Sequence, residues 1–150
     1  MGHTYTNLLT HMIFSTKERR PLLNAALKER LFPYMGGIIR NLKGTALSIN
    51  GPADHVHILM ALPPTVAVAT AASKIKSNST GWVHDEFKAC PAFKWQIGYG
   101  GFSVSESNVE KVMKYIADQE EHHRKTTFKE EFAAFLKKHK IKYDERYIWD

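Results

Sequence analysis

One hundred and fifty residues is the ordinary size of one domain and too short for two, so one core with a helical appendage is expected. A hydrophobic fraction of 43% with 24% charged residues excludes a disordered, collagen-like or disulfide-scaffold chain. The formal charge of +6 favours polyanionic partners, and the surplus is N-terminal: residues 1–50 carry seven Lys and Arg against two acidic residues, whereas residues 101–150 carry ten of each. The most apolar stretch, Ile58 to Ala72, is broken by Pro63 and Pro64 and falls short of the roughly 20 residues a spanning helix needs, so no membrane span is expected. With no basic segment leading into an apolar N-terminal core, and with Cys90 unable to form an internal bridge, the expected location is the cytoplasm.

Thr4 to Ser15 alternates as a strand, with Leu8, Met12 and Phe14 on one face and Leu9, His11 and Ile13 on the other. Pro21 and Asn24 open a helical pattern through Leu27, Leu31, Tyr34, Ile38 and Leu42, expected to kink at Pro33 and to close at Gly44. Thr45 to Asn50 and Asp54 to Leu62 read as a hairpin around Gly51-Pro52. A second helix is expected over about 66–87. Strand material follows at Phe93 to Gly98 and Phe102 to Ser105, around a glycine-rich bend. Ser107 with Glu110 and Thr127 with Glu130 both fit the capping box, predicting helices near 108–124 and 128–139. The order β, α, β, β, α, β is that of an α+β, ferredoxin-like (RNA-recognition-like) antiparallel sheet with helices on one face, here followed by C-terminal helices in a single domain, 1–150.

Chemistry concentrates at His55-Val56-His57. On a strand the two imidazoles share one face while Val56, Ile58, Met60 and Leu62 share the other, which takes the core. Imidazoles at i and i+2 reach a common divalent ion or phosphate, although two surface histidines on an amphipathic strand fit the same pattern. In the helix after Ser107, Val109, Val112, Met113, Ile116 and Ala117 form an apolar stripe. Tyr115 and Gln119 lie together on its flank, with His122 continuing the ridge; a half-buried core tyrosine with a solvated neighbour is the plain alternative. There is no G-x-S-x-G elbow and no phosphate loop, and His122-His123 lacks the cysteine partners of a zinc finger. Lys17, Arg19, Arg20, Arg40, Lys43, Lys74 and Lys76 are the candidates for phosphate contacts, with Trp82 or Trp95 as stacking platforms.

His55-Val56-His57 together with Tyr115-Ile116-Ala117-Asp118-Gln119 resembles the single-tyrosine HUH transposases of small bacterial insertion sequences, whose relatives include the REP-associated tyrosine transposases. The likeness extends over Tyr5 to Lys17, Lys74 to Ser79, Tyr99 to Ser105 and Tyr115 to Arg124. It implies a homodimer, with the tyrosine helix able to complete the partner's site, and a divalent metal, Mg²⁺ or Mn²⁺, held by His55, His57 and Gln119. It further implies Tyr115 as nucleophile and single-stranded DNA hairpins as substrate. The expected activity is therefore metal-assisted cleavage and rejoining of single-stranded DNA through a 5′-phosphotyrosine. The alternatives are a non-cleaving single-stranded nucleic-acid-binding module on the same fold, and a hydrolase using His55, His57 and His122 to activate water. The role of the C-terminal helix is left open by the sequence.

Overall fold

The computed structural model describes residues 2–149. Its sheet is built from β1 (Leu8–Ser15), β2 (Thr45–Asn50), β3 (His55–Leu62) and β4 (Gly100–Val104) in the order β2-β3-β1-β4, every neighbour antiparallel. That is the ferredoxin-like order read from the sequence. No helix is long and apolar enough to cross a membrane among the described residues.

Helices α1 (Ala25–Asn41) and α2 (Val68–Glu86) cover one face of the sheet. Met12 and Phe14 of β1 and Val56, Ile58, Met60 and Leu62 of β3 point into this layer, where they meet Leu27, Leu31, Met35 and Ile39 of α1 and Ala72, Ile75 and Val83 of α2. Each large side chain buried there contributes about 1.5–3 kcal/mol of transfer free energy. Asn24 caps α1 by accepting from the Leu27 amide at 2.9 Å. Pro33, where a kink is expected, lies inside this single element. Gly44 does not supply the left-handed turn that ends α1: Lys43 does, at φ 69°. Glycine is needed at 44 for space, because a Cβ there would stand 2.8 Å from the Ala61 carbonyl oxygen.

The other face, carrying Leu9, His11, Ile13, His55, His57 and Phe102, is covered by the C-terminal half of the chain. α3 (Val109–Ala117), α4 (Gln119–His122) and α5 (Phe128–Lys138) lie over it, with Phe128, Phe132 and Leu136 packing on Ile13 and Phe102. Helices thus occupy both faces. The Thr127–Glu130 capping box forms as expected, whereas Ser107 falls in a short 3-10 turn and makes no capping bond. The helix expected over 108–124 breaks at Asp118. Asn50 Nδ2 donates to the carbonyls of Ile116 and Ala117 at 3.0 and 3.2 Å, satisfying acceptors that a helix end leaves free.

Phe93 to Gly98 forms no full strand; it runs beside the end of β1 through the Thr16–Trp95 bridge and two hydrogen bonds between Gln96 and Ser15, at 2.9 Å from the Gln96 amide to the Ser15 carbonyl and at 2.6 Å from the Ser15 amide to Gln96 Oε1. Phe93 and Trp95 turn inward to the first core, and the Trp95 indole N–H donates to Ser79 Oγ at 2.9 Å, so Trp95 cannot serve as a stacking platform. Trp82, half-buried, stacks on Tyr34. Lys76 donates to the carbonyls of Gln96, Ile97 and Gly98, which commits its ammonium to holding this segment. Lys76→Met removes all three bonds and is expected to destabilise the fold by roughly 1–3 kcal/mol, read by urea denaturation.

Gly51 sets the entry into β3. A Cβ there would stand 2.1 Å from the His55 carbonyl oxygen, a backbone atom that cannot yield without moving the histidine strand. Gly51→Ala is expected to lower the denaturation midpoint by a free energy of about 1–3 kcal/mol or more.

Candidate functional site: a histidine cluster around Glu131

The β1–β3 register sets Ser15 opposite His55 and Ile13 opposite His57, so both imidazoles project under α3, α4 and α5. Both are fully buried. They are not the surface pair that an amphipathic strand also allows, because the C-terminal helices close over them. Their Nε2 atoms converge on Glu131 of α5: Oε1 lies 3.1 Å from His55, 3.0 Å from His57 and 2.9 Å from His123. Oε2 accepts from Gln119 Nε2 at 3.2 Å and from the Tyr115 hydroxyl. Glu131, His55, His57 and Gln119 are buried while Tyr115 and His123 are half-buried, so a single carboxylate gathers three imidazoles, an amide and a phenol at the edge of the interior.

The charges follow from these bonds. His55 donates from both ring nitrogens, Nδ1 to Asp54 Oδ1 at 2.7 Å and Nε2 to Glu131, which requires the imidazolium. Burial works to lower its pKa, yet the bonds to two carboxylates outweigh it and hold the pKa above the ordinary value. His57 meets the same burial, which outweighs its bond to Glu131, and with the His55 imidazolium as an unfavourable neighbour its pKa falls to about 4, so it is neutral at pH 7. His11, 2.8 Å from His57 Nδ1 through its Nε2, is likewise held to about 3 by burial and by His57. Glu131 is kept well below the usual carboxylate range, the hydrogen bonds from His123, His55 and His57 overcoming its burial. Tyr115 is pushed well above the ordinary phenol value, first by burial and then by the Glu131 carboxylate, which stabilises the protonated hydroxyl.

The structure brings together His55, His57, Tyr115 and Gln119, the four residues that the sequence motifs single out. It adds Glu131, His123 and His11. His123, rather than His122, reaches the two strand histidines; His122 lies beside the Tyr115 hydroxyl at 3.2 Å. The apolar stripe of α3 is also shifted: Ile116 is buried, while Met113 and Ala117 face solvent and Tyr115 and Gln119 turn inward.

Ligand chemistry is present in this cluster. One donor atom each from His55, His57, His123 and Glu131 lies within 4.8 Å of the others. Gln119 Oε1 is the one buried side-chain polar atom without a hydrogen-bond partner among the described residues. An amide oxygen held dry and unpaired beside imidazoles and a carboxylate fits a divalent cation.

A cavity of about 470 Å³ opens beside Tyr115 and Glu131, walled by Phe102, Phe135 and His139, with Lys111 and Lys138 also lining it. These two lysines are not among the basic residues singled out from sequence. Of those, Lys17, Arg19 and Arg20 follow β1 at the sheet end where Ser15 faces His55, with Arg20 paired to Glu18 at 3.1 Å and Arg19 over the Trp149 ring. Arg40 and Lys43 lie at the far end, beside the Thr45–Ala61 pairing, and Lys74 is exposed on α2 of the opposite layer. The seven do not form one surface. A composition count locates charge along the chain and not in space.

Fold and site together define an α+β protein with a paired-histidine centre closed by a tyrosine-bearing helix. The IS200-like transposase family model matches residues 4–119, and the chain belongs to that family. The transposases for insertion sequence element IS200 of Salmonella typhimurium and Salmonella typhi are each 27% identical over 129 residues, 79% of this chain and 81% of theirs. Among solved structures, a candidate transposase from Deinococcus radiodurans superposes with a TM-score of 0.64 at 22% identity, covering 79% of this chain and 96% of that one. A REP-associated tyrosine transposase bound to a REP hairpin gives 0.61 at 14% identity, covering 82% and 73%.

Proposed function

We infer that this transposase cuts and rejoins single-stranded DNA at hairpin-marked ends, with Tyr115 as nucleophile and His55, His57 and Gln119 holding a divalent ion, Mg²⁺ or Mn²⁺. The observation that carries the reading is the convergence of the Tyr115 hydroxyl and the His55–His57 pair on one buried carboxylate, beside a cavity lined by two lysines. A relative bound to a REP hairpin supports the substrate class. The family resemblance implies a homodimer in which the tyrosine helix can complete the partner's site.

In the step proposed, the Tyr115 oxygen attacks phosphorus in line. The P–O(Tyr) bond forms as the P–O3′ bond breaks, the phenol loses its proton, and the departing 3′-oxygen gains one. One phosphodiester is exchanged for another, so rejoining by the reverse attack of a 3′-hydroxyl needs no nucleotide triphosphate. Bound at the cluster, a divalent cation supplies Lewis-acid polarisation of the phosphoryl oxygen and positive charge beside the nucleophile. The chain itself orients the phenol: the ring of Tyr115 packs edge-on to His57 at 5.7 Å between centroids and to Phe135 at 5.8 Å. Lys111 and Lys138 supply charge for the strand's phosphates.

The test is incubation with labelled hairpins drawn from the DNA flanking the gene, with Mn²⁺, followed by a denaturing gel and mass spectrometry. A DNA-linked peptide containing Tyr115, lost with chelator, is expected. Cleavage with no protein–DNA adduct would overturn the tyrosine assignment and point to water as the nucleophile; binding without cleavage would leave a recognition module.

A further inference from the structure

The family match ends at Gln119, yet two of the side chains that meet at the centre lie beyond it. His123 follows α4 and Glu131 sits within α5. Glu131 occupies the inward face of that helix, between Phe128, Phe132 and Phe135, where an unpaired carboxylate would be strongly disfavoured. Its Oε1 stands about equally far from three imidazole Nε2 atoms, and Thr127 and Glu130 cap the helix that delivers it. An ordinary structural ion pair needs one such partner. Three nitrogens and a carboxylate oxygen gathered within 4.8 Å are the makings of a coordination sphere.

We propose that His123 and Glu131 join His55, His57 and Gln119 as ligands of the same metal centre, giving three imidazole nitrogens, one carboxylate and one amide oxygen, and that this donor set selects a transition ion such as Mn²⁺ or Zn²⁺ over Mg²⁺. The proposal rests on the reading that the cluster holds a divalent cation. Imidazole binds first-row transition ions well, whereas Mg²⁺ requires near-octahedral oxygen ligation and keeps most of its water. The carboxylate also changes the charge of the centre. Neutral imidazoles and an amide leave the full +2 of the ion, and Glu131 reduces it to +1, still favourable to a phosphate. Because Oε2 of the same carboxylate holds the Tyr115 hydroxyl, one side chain of α5 would join the ion to the nucleophile. The C-terminal helix thereby becomes part of the centre, and occupancy depends on its docking.

Isothermal titration of the full chain with Mn²⁺, Zn²⁺ and Mg²⁺ tests this without DNA. Wild type is expected to bind Mn²⁺ and Zn²⁺ at least about tenfold more tightly than Mg²⁺. His123→Ala and Glu131→Gln should each weaken Mn²⁺ binding by about 10–100-fold or more, against no change for Lys129→Ala on the outer face of α5. Should Glu131→Gln fail to fold, imidazole ¹⁵N spectra of wild type with Zn²⁺ decide: the His123 Nε2 signal should shift together with those of His55 and His57. Unchanged Mn²⁺ affinity in folded His123→Ala and Glu131→Gln, or a His123 signal unmoved at Zn²⁺ saturation, overturns the proposal. An adduct on Tyr115 in a protein whose metal affinity ignores His123 and Glu131 would sink this inference and leave the cleavage reading standing. Tight Mn²⁺ binding through both residues with no adduct would do the reverse.

Discussion

Tyr115→Phe is expected to abolish the covalent DNA adduct and strand nicking while leaving the protein folded and bound to its hairpin. The substitution removes one oxygen. Glu131 keeps four donors, from His55, His57, His123 and Gln119, so the buried carboxylate is not orphaned. The lost hydrogen bond costs roughly 1–3 kcal/mol of stability, which a domain of this size tolerates. Hairpin affinity should fall by no more than about tenfold, the equivalent of one net hydrogen bond. Nicking has no such reserve, since no other hydroxyl reaches the cluster among the described residues and the phenolic oxygen is the proposed attacking atom. A gel-shift titration and a denaturing gel on the same preparations separate the two quantities. Parallel loss of binding and nicking would mark Tyr115 as a residue that shapes the site, and unchanged nicking would remove it from the reaction.

The part of the centre that lies on β3 was legible because strand geometry is rigidly periodic. Once Val56, Ile58 and Met60 take the core, His55 and His57 must share the other face, and no tertiary contact can alter that. Whether that face is wet or dry was not legible, since it depends on α5 returning from far along the chain. The tyrosine helix was half-legible. Tyr115 and Gln119 stay one turn apart as their spacing requires, but at the break the carbonyls of Ile116 and Ala117 turn to Asn50 of β2, a partner with no local signature. His122 continues the ridge as its spacing requires, against the Tyr115 hydroxyl, whereas the approach of His123 to the strand histidines depends on how the chain beyond Gln119 docks on the sheet.

Glu131 did leave a trace in the sequence. Phe128, Phe132 and Phe135 fall at i, i+4 and i+7, and Glu131 at i+3 sits on the same stripe. An acid on the apolar face of a helix is the kind of buried polar residue that calls for a partner. Read that way, it would have predicted a cationic or metal-bearing neighbour. His11 carried the same signal on β1, between Leu9 and Ile13.

His11 is the second residue whose loss should be strongly felt, although it touches neither Glu131 nor Tyr115 through a hydrogen bond. Its Nε2 lies 2.8 Å from His57 Nδ1, both groups buried. In the present arrangement neutral His57 donates from Nε2 to Glu131, so its Nδ1 accepts and His11 donates. A cation taken by His57 Nε2 needs the lone pair there, which obliges the proton to stand on Nδ1 and His11 Nε2 to accept. Burial keeps His11 neutral, with a pKa of about 3, and a neutral imidazole can fill either role by changing tautomer. His11→Phe preserves the edge-on packing against Phe135, whose ring centroid is 5.2 Å away, but leaves His57 Nδ1 unpaired in both states. Mn²⁺ affinity is expected to fall by about 10–100-fold in calorimetry, with little change in hairpin binding. His11→Gln, whose amide both donates and accepts, should recover most of it. A Phe variant that binds Mn²⁺ like wild type would mean that packing alone orients His57, and that the proton on its far nitrogen is of no consequence to the centre.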